Sequence, residues 1–295
     1  MPFWLRQPKP MEPAPQPAAR RPGEDDRAFF ERVARSHLDD EMAERWLSLL
    51  RPAVRLTTAR GQPVVARLGG RPRVPDDFEW PVWQDKGPLS FVAEVDLAVL
   101  AGLRVDTGLA LPSEGRLLAF YFDGSVDGGV DIVGTWDPES LAGARLVHLT
   151  TSRDHDSPRR PPEPLADYPE IELGGVPEVT HPGWDHPAVR QAFGAESMDD
   201  EDWLRHPVSS AAFADSFIAV NGVAPVHRIG GWAHPVQGPV ELEVASDDAE
   251  ALAWHLLLQV DTDGRAGMIW GDTGALYWLG LDGGLAATSF TWQCY

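Results

Sequence analysis

Three short sequence words occur twice in this chain in the same order, and this repeat constrains the fold more than any other feature. The first set comprises residues 67–70 (RLGG), 91–96 (FVAEVD) and 115–123 (GRLLAFYFD); the second comprises residues 228–231 (RIGG), 256–261 (LLLQVD) and 274–282 (GALYWLGLD). Residues 115–123 and 274–282 align without a gap, so that Gly115 corresponds to Gly274 and Asp123 to Asp282. Two copies indicate a duplicated domain, because a solenoid needs at least three units to bury a core.

Short apolar runs bounded by Gly, Pro or Asp follow residue 53, and such runs are typical of strands. They cover residues 54–57, 64–68, 89–95, 116–122, 130–135 and 256–260. The 28 glycines and 27 prolines also suit many short strands and turns better than long helices. We therefore predict a mainly β (α+β) fold, an internally duplicated β-roll or sandwich-like domain with an N-terminal helix and a short helical insert.

Composition changes along the chain predict five segments. Residues 1–23 are rich in proline and predict a disordered tail. Residues 24–52 predict one helix, which Asp25 or Asp26 caps and Pro52 ends. Residues 53–150 form the first β half, 151–222 a linker with short helices around 188–193 and 199–204, and 223–295 the second β half. Residues 53–295 together make one domain.

Several words along the chain resemble those of the YwqG-like family of bacterial proteins. They are EWP at 79–81, PLSFVAEVDL at 88–97, EGRLLAFYFD at 114–123, HRIGGW at 227–232, WHLLLQVDTD at 254–263, MIWGDTGALYWL at 268–279 and the terminal Gln293-Cys294. The resemblance runs from about residue 54 to residue 295. It implies a mainly β fold with internal duplication in a soluble bacterial protein, without an established activity. Some members sit near toxin and immunity genes. The resemblance also leads us to expect glutamine at Glu94, as at Gln259.

The charge and cysteine content narrow the classes of partner. A net charge of −20 repels the phosphate backbone, so we expect no nucleic-acid ligand. The same field would speed encounter with a basic protein or a cation, although such a charge also serves solubility alone.

Cys294 is the single cysteine, which excludes a disulfide framework and a thiolate cluster. No run approaches the ~18 apolar residues of a membrane span, and prolines interrupt the start of the chain, so we expect a cytoplasmic protein.

Familiar catalytic motifs are missing from the sequence, including the Gly-x-Ser-x-Gly elbow, the Walker A loop and the His-Glu-x-x-His helix. His181, Asp185 and His186 have a spacing that could converge on a metal, but the adjacent prolines favour a rigid turn. We therefore predict no metal, no cofactor and no catalytic residue. His227 and His234 flank the second Gly-Gly turn, where a structural role is the simpler interpretation.

The repeated words also supply candidate pairs of charged residues. Arg67 with Asp96, and Arg228 with Asp261, occupy equivalent places, and we expect an Arg–Asp ion pair in each half. The alternative is that Asp261 and Asp272 act as paired carboxylates in acid–base chemistry.

Tryptophan is abundant, with twelve in the chain, and many fall within or beside the repeated words. Core packing is the simplest role for them, whereas exposed tryptophans would form a stacking platform or a protein-binding hot spot. The candidate binding residues are Trp80, Glu94, Asp96, His227, Arg228, Trp232, Gln237, Gln259, Asp261, Trp270 and Asp272.

Three functional hypotheses follow from the sequence. The first is a non-enzymatic interaction protein that holds a basic protein partner on an acidic, tryptophan-lined surface, with an immunity or toxin-neutralising role as its most specific form. The second is a protein that binds a small ligand or a carbohydrate in a cleft between the halves. The third is a hydrolase that uses His227, Asp261 or Asp272.

Overall fold

The computed structural model describes residues 18–150, 156–217 and 224–295. Within these residues the helices are α1 (Asp26–His37), α2 (Asp40–Leu47), α3 (Leu97–Gly102), α4 (Pro187–Phe193), α5 (Glu201–Leu204), α6 (Ala211–Asp215), α7 (Val240–Val244) and α8 (Asp248–Ala251). Two 3-10 turns span Pro138–Gly143 and Pro207–Ser209. The described strands are β1 (Arg51–Thr58), β2 (Val64–Leu68), β3 (Arg73–Val74), β4 (Val82–Trp83), β5 (Gly87–Pro88), β6 (Ser90–Asp96), β7 (Arg116–Tyr121), β8 (Ala144–Leu149), β9 (Ser157–Pro158), β10 (Ile171–Thr180), β11 (His227–Gly230), β12 (Trp254–Asp261), β13 (Ala275–Leu281) and β14 (Thr288–Gln293).

One large antiparallel sheet organises the described part of the chain. Its ten strands run in the order β14-β13-β12-β11-β1-β10-β2-β6-β7-β8. Strands β3 and β9 form a separate short ladder, and so do β4 and β5. The mainly β fold class with an N-terminal helix is therefore confirmed, and the repeated words lie on strands of this one sheet.

The sheet order has the same pattern on each side of its centre. From the centre outwards, β2, β6, β7 and β8 follow β10, while β11, β12, β13 and β14 follow β1. Arg67 lies opposite Glu94 on the first side, and Arg228 lies opposite Gln259 on the second. The residues that the sequence aligns therefore occupy equivalent register positions.

Two local irregularities also recur in equivalent places. The pairing of β6 with β7 shifts between Phe91 and Ala93, and the pairing of β12 with β13 shifts between Leu256 and Leu258. After each strand, one backbone amide donates to the carbonyl of the aligned glycine, Leu97 to Gly115 at 3.1 Å and Thr262 to Gly274 at 2.9 Å. The same bulge and the same following turn thus occur in both repeats. Because bulges are conserved within families, this supports the origin of both repeats from one duplicated segment.

The main apolar core draws on the strands of both repeats, and on β7 it includes the consecutive residues from Leu117 to Tyr121. Tyr121 of β7 contacts Trp270 and Phe290, with ring centroids 5.8 and 5.2 Å apart. A second cluster joins α1 and α2 to the helical insert, where Trp46 stacks on Phe217. Burial of these aromatic side chains is the main stabilising contribution in both clusters.

The N-terminal helical segment is divided where the sequence predicts one helix. Asp25 caps α1 by accepting from the amide of Ala28, and Asp39 caps α2 by accepting from the amide of Met42. The second cap starts a new helix because Leu38 adopts extended backbone dihedrals. Strand β1 then begins at Arg51, so Pro52 lies within a strand instead of ending a helix.

The predicted linker at 151–222 contains the ten-residue strand β10, which lies at the centre of the sheet. The short helices predicted around 188–193 and 199–204 are present as α4 and α5. The strand predicted at 130–135 is wrong, since these residues form turns and a single bridge, with Val130 and Ile132 exposed. Residues 1–17 of the predicted tail lie outside the described residues, whereas Ala18 packs against the second cluster.

Candidate functional site

A cavity of about 360 Å³ lies on the outer face of the sheet, over its three middle strands. We call it the central cavity. Its floor is formed by Arg55 of β1, Val176 and Glu178 of β10, and Arg228 of β11. Its walls are α1, the loop that begins at His181, and residues 233–235. This volume falls within the range of small-molecule sites.

Strand alternation explains why charged side chains line this floor. Val54 and Leu56 of β1 enter the main core, whereas Arg55 and Thr57 face the opposite side. Arg55 pairs in register with Arg228 on one side and with Val176 on the other. Main-chain pairing across three strands therefore sets the positions of the floor residues.

Two guanidinium groups converge on one carboxylate in the cavity. Nε of Arg228 donates to Glu178, and Nη1 donates to the carbonyl of Trp232 at 2.8 Å. Nη1 of Arg55 lies 3.9 Å from Oε2 of Glu178, and its Nη2 donates to the carbonyl of Pro225 at 3.2 Å. Burial lowers the pKa of Arg55, although the Glu178 carboxylate opposes this shift. The floor thus places two guanidinium groups beside the carboxylate of Glu178.

His234 lines the wall of the cavity as a neutral group at physiological pH. Burial lowers its pKa to about 4, and the positive charges of Arg228 and Arg55 act in the same direction. His181 lies on the same wall, where its ring contacts Phe30 of α1 at a centroid distance of 5.5 Å. Both rings add polar and aromatic surface to this wall, and the His234 ring adds it without charge.

Buried polar side chains fix the loop that carries His234. The Gln259 side chain accepts from the backbone amide of His234 at 2.9 Å and donates to its carbonyl at 3.3 Å. The hydroxyl of Tyr277 donates to the same carbonyl at 3.0 Å. Gln293 accepts from the amides of Val236 and Gln237 and donates to the carbonyl of Gly238. Loop 232–238 is therefore held in place before any ligand arrives.

The helix α1 closes one side of the cavity. Asp26 accepts from the amide of Val179 at 2.8 Å and forms an ion pair with Arg20 at the rim. Phe30 reaches the cavity from the next turn of the same helix. The helix thus docks on β10 through a direct hydrogen bond.

Glu94 occupies the place of Gln259 in the first half and forms ion pairs there. It lies 3.3 Å from Nη1 of Arg116 and 3.7 Å from Nη1 of Arg67. Arg116 is 2 % exposed and also pairs with Asp156. The expected glutamine is thus replaced by a carboxylate that compensates buried arginine charge.

The predicted ion pairs of Arg67 with Asp96 and of Arg228 with Asp261 are wrong, because each arginine pairs with glutamate instead. Arg67 contacts Glu94 and Glu172, and Arg228 contacts Glu178. Asp96 instead accepts from the amide of Val99 and caps α3, while Asp261 accepts from the amide of Val226 at 2.7 Å. Both aspartates therefore contribute to the backbone geometry at the ends of equivalent strands.

His227 is fully buried below the floor, and its ring nitrogens have structural partners. Nε2 lies 3.2 Å from Oδ2 of Asp263, and Nδ1 accepts from the amide of Asp261 at 3.2 Å. Burial opposes ionisation of Asp263, but hydrogen bonds from His227 and Arg265 outweigh it and lower the pKa of this carboxyl. A ring without solvent exposure cannot reach a substrate, so His227 has a structural role.

The remaining sequence candidates lie apart from the central cavity. Trp80 donates from Nε1 to the carbonyl of Leu89, and Trp232 donates from Nε1 to that of Leu49. Trp232 and Trp270 are each 3 % exposed. Gln237 donates to the carbonyl of Cys294, and Asp272 lies in an exposed turn. Of the sequence candidates, the structure places Arg228 in the cavity lining.

The His181–His186 loop serves packing in this structure. His186 lies 3.3 Å from Glu241, and its ring meets Trp232 at a centroid distance of 4.5 Å. Burial raises the pKa of Asp185. Among the described residues, no group of three or more His, Cys, Asp or Glu side chains is arranged to hold a metal ion.

Arg55 and Glu178 are two charged floor residues that the sequence candidates omitted. A charged residue at an alternate position of an apolar strand is the signal that marks Arg55, between Val54 and Leu56. Glu178 follows Pro177 within the predicted linker, where no strand was expected. Both become evident when the strand order is known.

A family model described as a domain of unknown function (DUF1963) matches residues 66–295. No curated protein matches the chain. In the described residues, no helix has the length and apolar character needed to cross a bilayer.

Proposed function

Because this chain belongs to the DUF1963 family, a domain family of unknown function, we propose its function from the central cavity: it is a non-enzymatic protein that binds a small anionic molecule. The observation that carries this proposal is the convergence of Arg55 and Arg228 on the cavity floor, where they share the carboxylate of Glu178. Two guanidinium groups suit the planar, bidentate recognition of carboxylate or phosphate oxygens.

The surroundings of the two arginines favour an anion that is small. The guanidiniums are mostly buried, with side-chain exposures of 14 % for Arg55 and 6 % for Arg228. The net charge of −20 repels a long polyanion such as nucleic acid, so the proposed ligand is a small anion that contacts the two arginines directly. In a partly desolvated site, each charge-assisted hydrogen bond is stronger than it would be in water.

The uncharged ring of His234 and the fixed loop around it support a preformed binding site. His234 is uncharged at neutral pH because burial lowers its pKa to about 4. The Gln259, Tyr277 and Gln293 side chains hold its loop, so an anion meets a site that is already formed. A preorganised site binds more tightly because less ordering accompanies binding.

A thermal-shift series tests this proposal. Inorganic phosphate and citrate at millimolar concentration should raise the midpoint of unfolding, whereas glucose should not, because binding to the folded state stabilises it. The Arg228→Gln and Arg55→Gln variants should lose this shift. Arg145→Gln, on the edge strand β8, is the matched control and should keep it. A shift of equal size in all four proteins would contradict the proposal.

A second candidate function, binding of a basic protein, is favoured by the loop 123–139. Val130, Ile132 and Trp136 are 79, 50 and 70 % exposed, respectively. Five acidic residues and no lysine or arginine occur between positions 123 and 139. An exposed tryptophan within an acidic surround fits a basic partner with an apolar pocket. In its most specific form this is an immunity or toxin-neutralising role.

Calorimetric titration with purified basic effector proteins encoded beside its gene tests this second candidate. One-to-one binding that Trp136→Ala weakens at least tenfold, and that Leu204→Ala leaves unchanged, would support it. Leu204 is a suitable control because it is exposed on α5. Absence of binding, or equal binding by both variants, would remove this candidate.

We also propose that the chain is a YwqG-like member of its family and acts in the cytoplasm. The paired words RLGG and RIGG, with the terminal Gln293-Cys294, support the first statement. The presence of one cysteine in 295 residues suits a reducing compartment and supports the second. Fractionation of the native host would test the location, and recovery with the periplasm or the medium would contradict it.

A further inference from the structure

Strand β8 is the last strand of the ten-stranded sheet, and β7 is its neighbour on one side. The two strands pair in an unbroken register from Ala144 to Leu149. Strand β8 contains neither a proline nor a bulge, and Arg145 is its one arginine or lysine. Proteins commonly protect edge strands by such devices, because an unpaired edge is a template for another strand. We call the side of β8 that faces away from β7 the open edge.

The hydrogen-bonding pattern identifies the residues that face the open edge. The amide of Phe122 donates to the carbonyl of Gly143 at 2.7 Å, one position before Tyr121 and Ala144 pair in the same register. Bonded and non-bonded residue pairs alternate along an antiparallel ladder. The residues that bond to β7 are therefore Arg145, Val147 and Leu149. The residues that direct their main-chain N–H and C=O groups to the open edge are Ala144, Leu146 and His148.

These outward groups have no partner within residues 18–150, 156–217 and 224–295. No main-chain or side-chain hydrogen bond reaches the amides or carbonyls of Ala144, Leu146 and His148 on that side. Their spacing of two residues is the spacing at which an extended chain presents its own donors and acceptors. The open edge is therefore complementary to a further strand.

An acidic loop with exposed apolar side chains leads into the open edge. The loop 123–139 is followed by a 3-10 turn that ends at Gly143, directly before β8. Trp136 is 70 % exposed, and Asp137 and Glu139 close to it along the chain are exposed too. A strand that pairs with β8 thus meets carboxylates at the start of β8, and these attract basic side chains.

We propose that the open edge binds an extended basic segment of a partner protein, which adds a strand to the sheet beside β8. This inference rests on the second candidate function, since it assigns the binding mode of the basic partner beside Trp136. Main-chain hydrogen bonds to Leu146 and its neighbours supply affinity, and the acidic loop selects basic side chains. A second copy of this chain is disfavoured in this place, because each copy carries a net charge of −20.

Fluorescence anisotropy with a labelled octapeptide of alternating lysine and valine tests this inference. The wild type should bind this basic peptide at least tenfold more tightly than an octapeptide of alternating glutamate and valine. Leu146→Pro should weaken binding of the basic peptide at least tenfold, because proline removes an outward amide and leaves the bonds to β7 in place. Leu146→Ala is the matched control: it loses the same side chain, keeps the amide and should bind as the wild type does.

A second probe makes the test independent of the folding of Leu146→Pro. Proline at the two central positions of the basic peptide removes one donor from each of its edges. This peptide should bind the wild type at least tenfold more weakly than the uninterrupted one. Undiminished binding of the proline peptide, or equal binding by Leu146→Pro and Leu146→Ala, would overturn strand addition at β8.

The remaining outcomes separate this inference from the second candidate function. Equal binding of the basic and acidic octapeptides would overturn the basic character of the partner segment. Binding of a basic effector protein that depends on Trp136, without binding of the basic octapeptide, would overturn strand addition and leave the second candidate intact. Failure of both the effector proteins and the octapeptide to bind would overturn the two together.

Discussion

Arg55 on β1 lies directly opposite Arg228 on β11, and both side chains approach the carboxylate of Glu178 on β10. Two like charges this close repel each other, and burial strengthens the repulsion because the local dielectric constant is low. One carboxylate offsets part of this cost. An anion in the central cavity would reduce this repulsion further, which is the physical basis of the proposed binding.

The pH dependence of stability should carry a contribution from His234. Burial and the neighbouring arginines lower its pKa to about 4 from an ordinary value of 6.5. The unfolded chain therefore binds a proton that the folded protein does not bind between these values. Its stabilising contribution is complete above pH 6.5 and is lost as the pH falls towards 4, by up to about 3 kcal/mol.

The His234→Asn variant isolates this contribution. Urea unfolding at a series of pH values should show a steeper loss of stability in the wild type than in the variant between pH 6.5 and 4.5. Above pH 7.5 the difference between the two proteins should be constant. Parallel curves over the whole range would show that His234 titrates alike in the folded and unfolded states.

The buried glutamines should be important for the stability of the loop that they hold. Gln259→Ala and Gln293→Ala each leave backbone groups of loop 232–238 without their partners, at a cost of about 2–3 kcal/mol per variant. Gln84→Ala, at an exposed position, should change stability by less than about 0.5 kcal/mol. Chemical denaturation measures all three, and losses no larger than that of the control would show that water replaces these bonds.

Equivalent glycines of the two halves should be equally intolerant of substitution. A Cβ at Gly115 would lie 2.4 Å from the carbonyl oxygen of Leu149, and one at Gly274 would lie 1.9 Å from that of Gln293. Each alanine variant should lose about 3 kcal/mol or more, since the clash is with backbone. Gly102→Ala meets nothing within 4 Å and should be neutral or slightly stabilising. Tolerance at one of the two positions would show that the equivalent turns differ.

The repeated words predicted the strands that contain them, because their signal is local. Residues 89–95 correspond to β6 and residues 256–260 to β12, each within one or two residues at either end. Their alternation and their turn glycines are properties of short segments. The equivalence of Glu94 and Gln259 also followed from this alignment, and the strand register bears it out.

Strand β10 could not be predicted because its stability comes from distant contacts. Gly174, Gly175 and Pro177 all disfavour a strand on local propensity. A Cβ at Gly175 would lie 2.5 Å from Leu103 and 2.9 Å from Val54, so close packing requires glycine there. Pro177 lies where β10 pairs with β1 alone, beyond the part paired with β2.

The candidate site depends on the same non-local pairing. The sequence singled out Arg228 through its repeated word, but Arg55 and Glu178 lie far from it along the chain and meet it through the strand order β11-β1-β10. The tryptophans of the repeated words were ambiguous between core and surface. Trp232, Trp254, Trp270 and Trp278 are buried, as their packing role predicts.

Isothermal calorimetry with inorganic phosphate tests the central claim most directly, because it measures anion binding without reference to stability. At pH 7 and low ionic strength, the wild type and Arg145→Gln should bind one phosphate per chain with the same affinity. Arg228→Gln should bind at least tenfold more weakly, a loss of about 1.4 kcal/mol or more in binding free energy. No measurable binding by the wild type, or unchanged affinity in Arg228→Gln, would contradict an anion site between Arg55 and Arg228.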